Sequence, residues 1–117
     1  VFPHGNMGAP CPPAIIDFIN ERTVKKLNLA GIEIGDIGAK ELAVCLASNE
    51  TLTSLNLHGC AIGDEGGKML AGALSQNSAL VTLFLTCNNF SEEVVAELHA
   101  ANSKRPVPMS GLCGLVL

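Results

Sequence analysis

Leucines return along this chain at a fixed interval: Leu52-x-x-Leu55-x-Leu57 is followed by Leu80-x-x-Leu83-x-Leu85 and preceded, one equal step earlier, by Val24-x-x-Leu27-x-Leu29. Other positions keep the same period. Ile34-Gly35-Asp36-x-Gly38 recurs as Ile62-Gly63-Asp64-x-Gly66, and Ala39, Leu42 and Leu46 recur as Gly67, Leu70 and Leu74. Agreement at so many positions defines an internal repeat. Units of about 28 residues stack into arrays in which each buries its apolar edge against its neighbours. In the third unit Phe90-Ser91-Glu92 replaces Ile-Gly-Asp, and Asn102 stands where Leu46 and Leu74 stood, so the pattern weakens toward that end.

Each unit divides in two. The leucine half alternates with period two, as in Leu80-Val-Thr-Leu83-Phe-Leu85, and predicts a short strand with its leucines on one face. The other half, over 36–48, 64–76 and 91–102, places apolar residues three and four apart and predicts a helix. Asp36, Asp64, Glu92 and Glu93 fall in the first helical turns, where the positive end of the helix dipole favours acids, and Ser91 has the chemistry of an N-cap. Parallel strands joined by helices predict an α/β fold, a right-handed solenoid with the strands on the concave side and the helices on the convex side. At the turn after the third strand, Asn88 suits a ladder role, its carboxamide bonding orphan backbone groups. Cys60 takes that place in the second unit as a small residue with a weak donor. Ile32 takes it in the first unit and cannot bond at all, so that turn is expected to be less well satisfied.

The ends depart from the period. Pro12 and Pro13 suit a helix start, and Ala14 and Phe18 lie one repeat step before Leu42 and Leu46. Residues 14–23 are therefore expected to form an N-terminal cap helix behind a flexible leader at 1–13. The repeats then occupy about 24–51, 52–79 and 80–105 of a repeat domain at 14–105, giving about three strands and about four helices. The chain starts at Val1 rather than Met, which fits a fragment. Pro106 ends the last helix. The apolar tail at 106–117 is expected to leave the repeat and either fold back over the last unit as a cap or act as a sticky edge for self-association.

The pattern L-x-x-L-x-L-x-x-(N/C)-x-(I/L)-G-D-x-G-x-x-x-L-A-x-x-L, clearest from Leu52 to Leu74, resembles the ribonuclease-inhibitor type of leucine-rich repeat, over residues 24 to about 102. It is similar to repeats in ribonuclease inhibitor, in Ran GTPase-activating proteins and in the sensor regions of NOD-like receptors. That resemblance implies protein recognition, by a receptor-like sensor of innate immunity or an enzyme-inhibitor scaffold. It also leaves open a regulator of a small GTPase or other enzyme, without the acid-rich tail of the Ran activators, and a structural subunit of a larger assembly. Fold alone does not choose among them.

Composition narrows the partners. The chain has 117 residues, 48% hydrophobic and 15% charged, enough for one core-rich domain. A net charge of -4, four phenylalanines and no basic run beyond Lys25-Lys26 or Lys104-Arg105 argue against nucleic acid. The apolar stretch Val107 to Leu117 is broken by proline and glycine and falls short of the ~20 residues that cross a bilayer, so no membrane association is expected. Cys113 sits one position off a prenylation box, and no charged segment with an apolar run opens the chain as in a secretory leader. Five cysteines, at 11, 45, 60, 87 and 113, without a C-x-x-C pair, suit reduced thiols in the cytoplasm. They are expected to be small buried residues, Cys60 and Cys87 near each other across one repeat. His58 could join that pair at a zinc ion, but His58 and Cys60 straddle a strand end and no fourth ligand is at hand. His4, His58 and His99 fall in the leader, on the sheet and on a helix, so no nucleophile–base pair is expected from the repeat register. The glycines near 31–35 and 63–67 lack the Lys-Ser/Thr of a phosphate loop. The chain is thus expected to be a binding module without catalytic residues, cofactor or metal.

Binding then falls to surface residues. Those between and beside the strand leucines point away from the core and stack in three columns: Lys26, Ser54 and Thr82; Asn28, Asn56 and Phe84; Ala30, His58 and Thr86. Except for Ala30, these are the candidate partner-binding residues. Phe84 stands out, because an aromatic facing outward from a strand is covered either by a partner, as aromatic anchors are, or by the tail or a second copy.

Overall fold

The computed structural model describes residues 24–105, 108 and 115–117. The leader and the expected cap helix at 14–23 lie outside the described residues. Among the described residues seven elements follow in order: β1 (Lys26–Asn28), α1 (Gly35–Ser48), β2 (Ser54–Asn56), α2 (Asp64–Gln76), β3 (Thr82–Phe84), α3 (Glu92–Ser103) and β4 (Leu115–Val116). The strands form one parallel sheet in the order β1-β2-β3-β4. Helix α1 packs on α2 and α2 on α3, making an α/β solenoid.

The register follows the repeat. Leu27 pairs with Leu55 and Leu55 with Leu83, so the strand leucines stack directly. Leu29, Leu52, Leu55, Leu57, Leu83 and Leu85 are buried, with Leu42, Leu70 and Leu98 of the helices in the same core. Each such side chain contributes about 1.5–3 kcal/mol on leaving water, which is what holds so short a strand in place.

Backbone groups left over at the turns are met by side chains one repeat away. Asn88 Oδ1 accepts from the Cys60 and Ile62 N–H groups at 3.0 and 3.1 Å, and its Nδ2 donates to the Leu57 and Leu85 carbonyls, both at 2.9 Å. In the second unit the Cys60 thiol donates to the Leu29 carbonyl at 3.2 Å. The first turn is better satisfied than its side chain promised. The Cys60 carbonyl accepts from Ile34 and Gly35, and Ile32 packs against the core. Main chain there replaces the missing carboxamide.

A second ladder runs along the helix-to-strand turns. Asn77 Nδ2 donates to the Leu46 and Asn49 carbonyls, and its Oδ1 accepts from Ala79 and Leu80. Arg105 takes the same position one repeat further on and is 3% exposed. Its Nε donates to the Asn77 carbonyl at 2.8 Å and an Nη to the Leu80 carbonyl at 2.7 Å. A guanidinium accepts no hydrogen bond, so it cannot do for the next turn what Asn77 does for Ala79 and Leu80. The residue corresponding to Leu80 is Pro108, which has no N–H to offer.

The acids of the first helical turns do more than face their own dipole. Asp36 Oδ1 accepts from the Gly63 and Gly66 N–H groups at 2.7 and 3.0 Å, and Asp64 Oδ1 accepts from Ser91 N–H at 2.7 Å. Each caps the start of the following helix. Ser91 caps α3 itself, accepting from Val94 N–H.

The tail corrects the sequence expectation. Rather than leaving the repeat, it returns as a fourth strand, with Leu115 beside Leu83 and Val116 beside Phe84. Leu112-x-x-Leu115-x-Leu117 repeats the strand spacing, but the step from Leu83 to Leu115 is longer than the step from Leu55 to Leu83. The longer step hid the match. Leu115 is 3% exposed, so the strand also covers the end of the core.

Candidate functional site: the outward strand face

Because alternate strand residues face opposite ways, burying the leucines fixes the direction of everything between them. Lys26 lies beside Ser54 and Ser54 beside Thr82, while Asn28 lies beside Asn56 and Asn56 beside Phe84. Lys26 and Asn28 are exposed; Ser54, Asn56, Thr82 and Phe84 are half-buried. Val116 extends the second column past Phe84. The two apolar side chains therefore stand side by side, and the tail flanks the aromatic while leaving it partly open.

The asparagines have a local task as well. Asn28 Oδ1 accepts from Ala30 N–H and Asn56 Oδ1 from His58 N–H, both at 3.0 Å, which turns the chain out of each strand. Their Nδ2 groups have no partner among the described residues. This column therefore offers two open amide donors.

In the third column the repeat does assemble a pair, contrary to the sequence expectation. His58 Nδ1 and Thr86 Oγ1 share a hydrogen bond of 2.6 Å from one repeat to the next. A hydroxyl nucleophile requires a base that a third group orients, and no described residue bonds the far ring nitrogen. The pair is a polar link between neighbouring turns on an open surface.

The cysteines separate by position. Cys60 is buried, and burial raises its thiol pKa against the lowering effect of the Gly31 and Ile32 backbone groups. Cys45 is half-buried, its thiol raised by burial first and by the Glu41 charge second. Cys87 is exposed, which corrects the expectation of a buried residue near Cys60. It is Asn88, one repeat on, that bonds the Cys60 backbone. Among the described residues no group of three or more His, Cys, Asp or Glu is placed to hold a metal ion. Nor is any described helix long and apolar enough to cross a membrane.

Three further residues belong near this face. Lys25, Thr53 and Val81 share a register position at the strand entries, joined where Thr53 N–H donates to the Lys25 carbonyl and Val81 N–H to the Thr53 carbonyl. Val81 is 62% exposed. The same repeat spacing carries this column in the sequence, one position before the column of Lys26, Ser54 and Thr82.

Short parallel strands, leucines stacked one repeat apart and asparagines bonding one turn to the next define a leucine-rich-repeat solenoid. In agreement, the family model described as Leucine Rich repeat matches residues 20–43 and 48–71. Among solved structures the chain resembles the tropomodulin C-terminal domain of Caenorhabditis elegans, with a TM-score of 0.71 at 17% identity. The likeness covers 79% of this chain and 57% of that one. At that identity it is a likeness of fold, and this chain spans little more than half of the other's length. No curated protein matches the chain.

Proposed function

We propose that this chain is a protein-recognition module, working in the cytoplasm, that meets its partner through the outward strand face and catalyses nothing itself. One observation carries it. A sheet fixed by stacked leucines holds Lys26, Asn56, His58 and Phe84 outward in register, so that face loses little freedom on binding, which is how rigid interfaces limit their entropic cost. The repeat length and the Asn88/Cys60 turn position support the ribonuclease-inhibitor type of repeat, and with it a sensor-like role of the innate-immune kind.

The test is affinity capture from lysate, comparing the native chain with Asn56→Ala/Phe84→Ala after circular dichroism shows both folded. A partner held by the native chain and lost by the variant is the expected result. Equal capture by the two would remove the strand face from consideration.

A further inference from the structure

The charge on this protein is divided by surface. The whole chain is acidic, at -4. Yet the strand segments among the described residues carry Lys25, Lys26 and His58 and no carboxylate. Among the described residues the carboxylates lie on the helices and their turns, with Glu33 and Glu50 flanking the strand ends. Among the described residues the ion pair is Lys40 with Glu65, between α1 and α2 at 3.4 Å. Lys26 has no carboxylate partner there.

Hydrogen-bonding capacity has the same sign. The Asn28 and Asn56 oxygens each already accept one N–H group, from Ala30 and His58, while their Nδ2 groups have no partner among the described residues and offer open donors. Lys26 offers donors only. Polarity also changes across the sheet. Lys25, Lys26 and Asn28 stand at β1, neutral polar groups at β2, and Val81, Phe84 and Val116 at β3 and β4.

We infer that the partner presents an acidic, acceptor-rich segment whose carboxylates meet Lys26 and the Asn28 and Asn56 amides, and whose apolar side chain rests on Phe84 and Val116. This rests on the strand face being the binding surface. Strands lie about 4.8 Å apart, so β1 and the β3–β4 pair are separated by roughly 10–14 Å. An extended segment running across the strands covers that in about three or four residues. The motif is therefore an acidic pair followed at about that spacing by a large apolar residue. A charge arrangement of this kind governs which partner is accepted more than how much area is covered.

The experiment is an amide chemical-shift titration of the full chain with three peptides of about ten residues. One carries two glutamates, a Gly-Ser spacer of about three residues and two leucines. The second has lysines for the glutamates, and the third has serines for the leucines. The first is expected to shift residues 26–28, 54–58 and 82–86 and to weaken about tenfold with Lys26→Glu, with Phe84→Ser, or on raising salt from about 50 to 500 mM. The serine peptide is expected to bind about tenfold more weakly than the first and to be indifferent to Phe84→Ser. The lysine peptide is expected to bind the native chain about tenfold more weakly and to recover on Lys26→Glu. Lys26 is exposed, so that variant leaves the fold alone, as circular dichroism checks. Strand-face shifts with the lysine peptide bound as tightly as the glutamate one would overturn the inference while leaving the strand face as the site. Shifts confined to the helices, or none with any peptide, would remove both.

Discussion

Asn88, Cys60 and Ile32 occupy one position in successive units, and each meets the turn differently. Asn88 satisfies two N–H groups and donates to the Leu57 and Leu85 carbonyls as well. Replacing it with alanine leaves those groups inside a turn with nothing to bond, and Asn88→Ala is expected to cost about 2–4 kcal/mol in urea unfolding. Its neighbour gives the opposite sign. Cys87 has φ +58°, in the left-handed region that Gly31 and Gly59 occupy at the same repeat position. Cys87→Gly is expected to stabilise by about 1 kcal/mol through relief of that strain, less the flexibility glycine adds to the unfolded chain. A loss of stability would show that the Cys87 side chain makes contacts worth more than the strain. The Asn88 role was legible in the sequence, since a carboxamide both donates and accepts; the Cys87 strain was not, because a cysteine gives no sign of a positive φ until its glycine counterparts are aligned with it. The thiols also separate by chemistry. With Cys60 and Cys45 raised and Cys87 open to solvent, mass spectrometry after brief alkylation near pH 8 is expected to find Cys87 modified well before the other two. The raised Cys60 pKa sets the sign of a stability change. The unfolded thiol ionises first, so the stabilisation is complete below the ordinary value of 9.0 and is lost as pH rises from there through the folded value. Cys60→Ala should flatten that alkaline fall.

Between elements, spacing is set by residues that are almost absent. A methyl at Gly66 would lie 2.7 Å from Ile62 Cγ2 and 2.9 Å from Ala39 Cβ, and one at Gly67 would lie 2.5 Å from Val94 Cγ1. Glycine in a helix gives up about 1 kcal/mol relative to alanine, so the propensity term favours substitution and the contact term opposes it. At Gly66 and Gly67 the contacts are with packed core atoms, and alanine is expected to destabilise by about 1–3 kcal/mol. At Gly72 a methyl meets nothing within 4 Å, and Gly72→Ala is expected to stabilise by about 0.5–1 kcal/mol. Thermal unfolding of the three variants decides it, and the same sign at all three would mean helix spacing is not what these glycines protect. The helices and the first three strands could be placed from the sequence because apolar period and register coincide there. The Asp36 link to Gly63 and Gly66 could not, because a side chain that reaches the next unit looks the same in sequence as one that faces its own helix dipole. The strand columns of the candidate site were legible for the same reason as the strands. Val116 was hidden by the longer step to β4.

For the whole molecule, the main packing contacts among the described residues join neighbouring units, so stability is close to a sum of units and interfaces rather than one shared core. Among the described residues β4 pairs with β3, and Leu115 closes the core beside Leu83. Its loss therefore falls first on the third unit. Leu115→Ala is expected to cost about 2–4 kcal/mol, the range for a buried leucine that leaves a cavity. The cost should be uneven along the chain. Amide exchange is expected to quicken at Leu83 and Leu85, whose neighbours include the altered strand, more than at Leu42 and Leu46 in α1, two units away. Leu85 N–H donates to the Val116 carbonyl at 2.7 Å, so it reports directly on whether β4 has come away. An equal rise in exchange at all four leucines would mean the array opens as one cooperative block. In that case the strand face would be held rigid by the entire solenoid. The expected graded result ties Phe84 to β4 instead: a substitution at Leu115 would then weaken binding at Phe84 and Val116 while leaving the contacts at Lys26 and Asn28 in place.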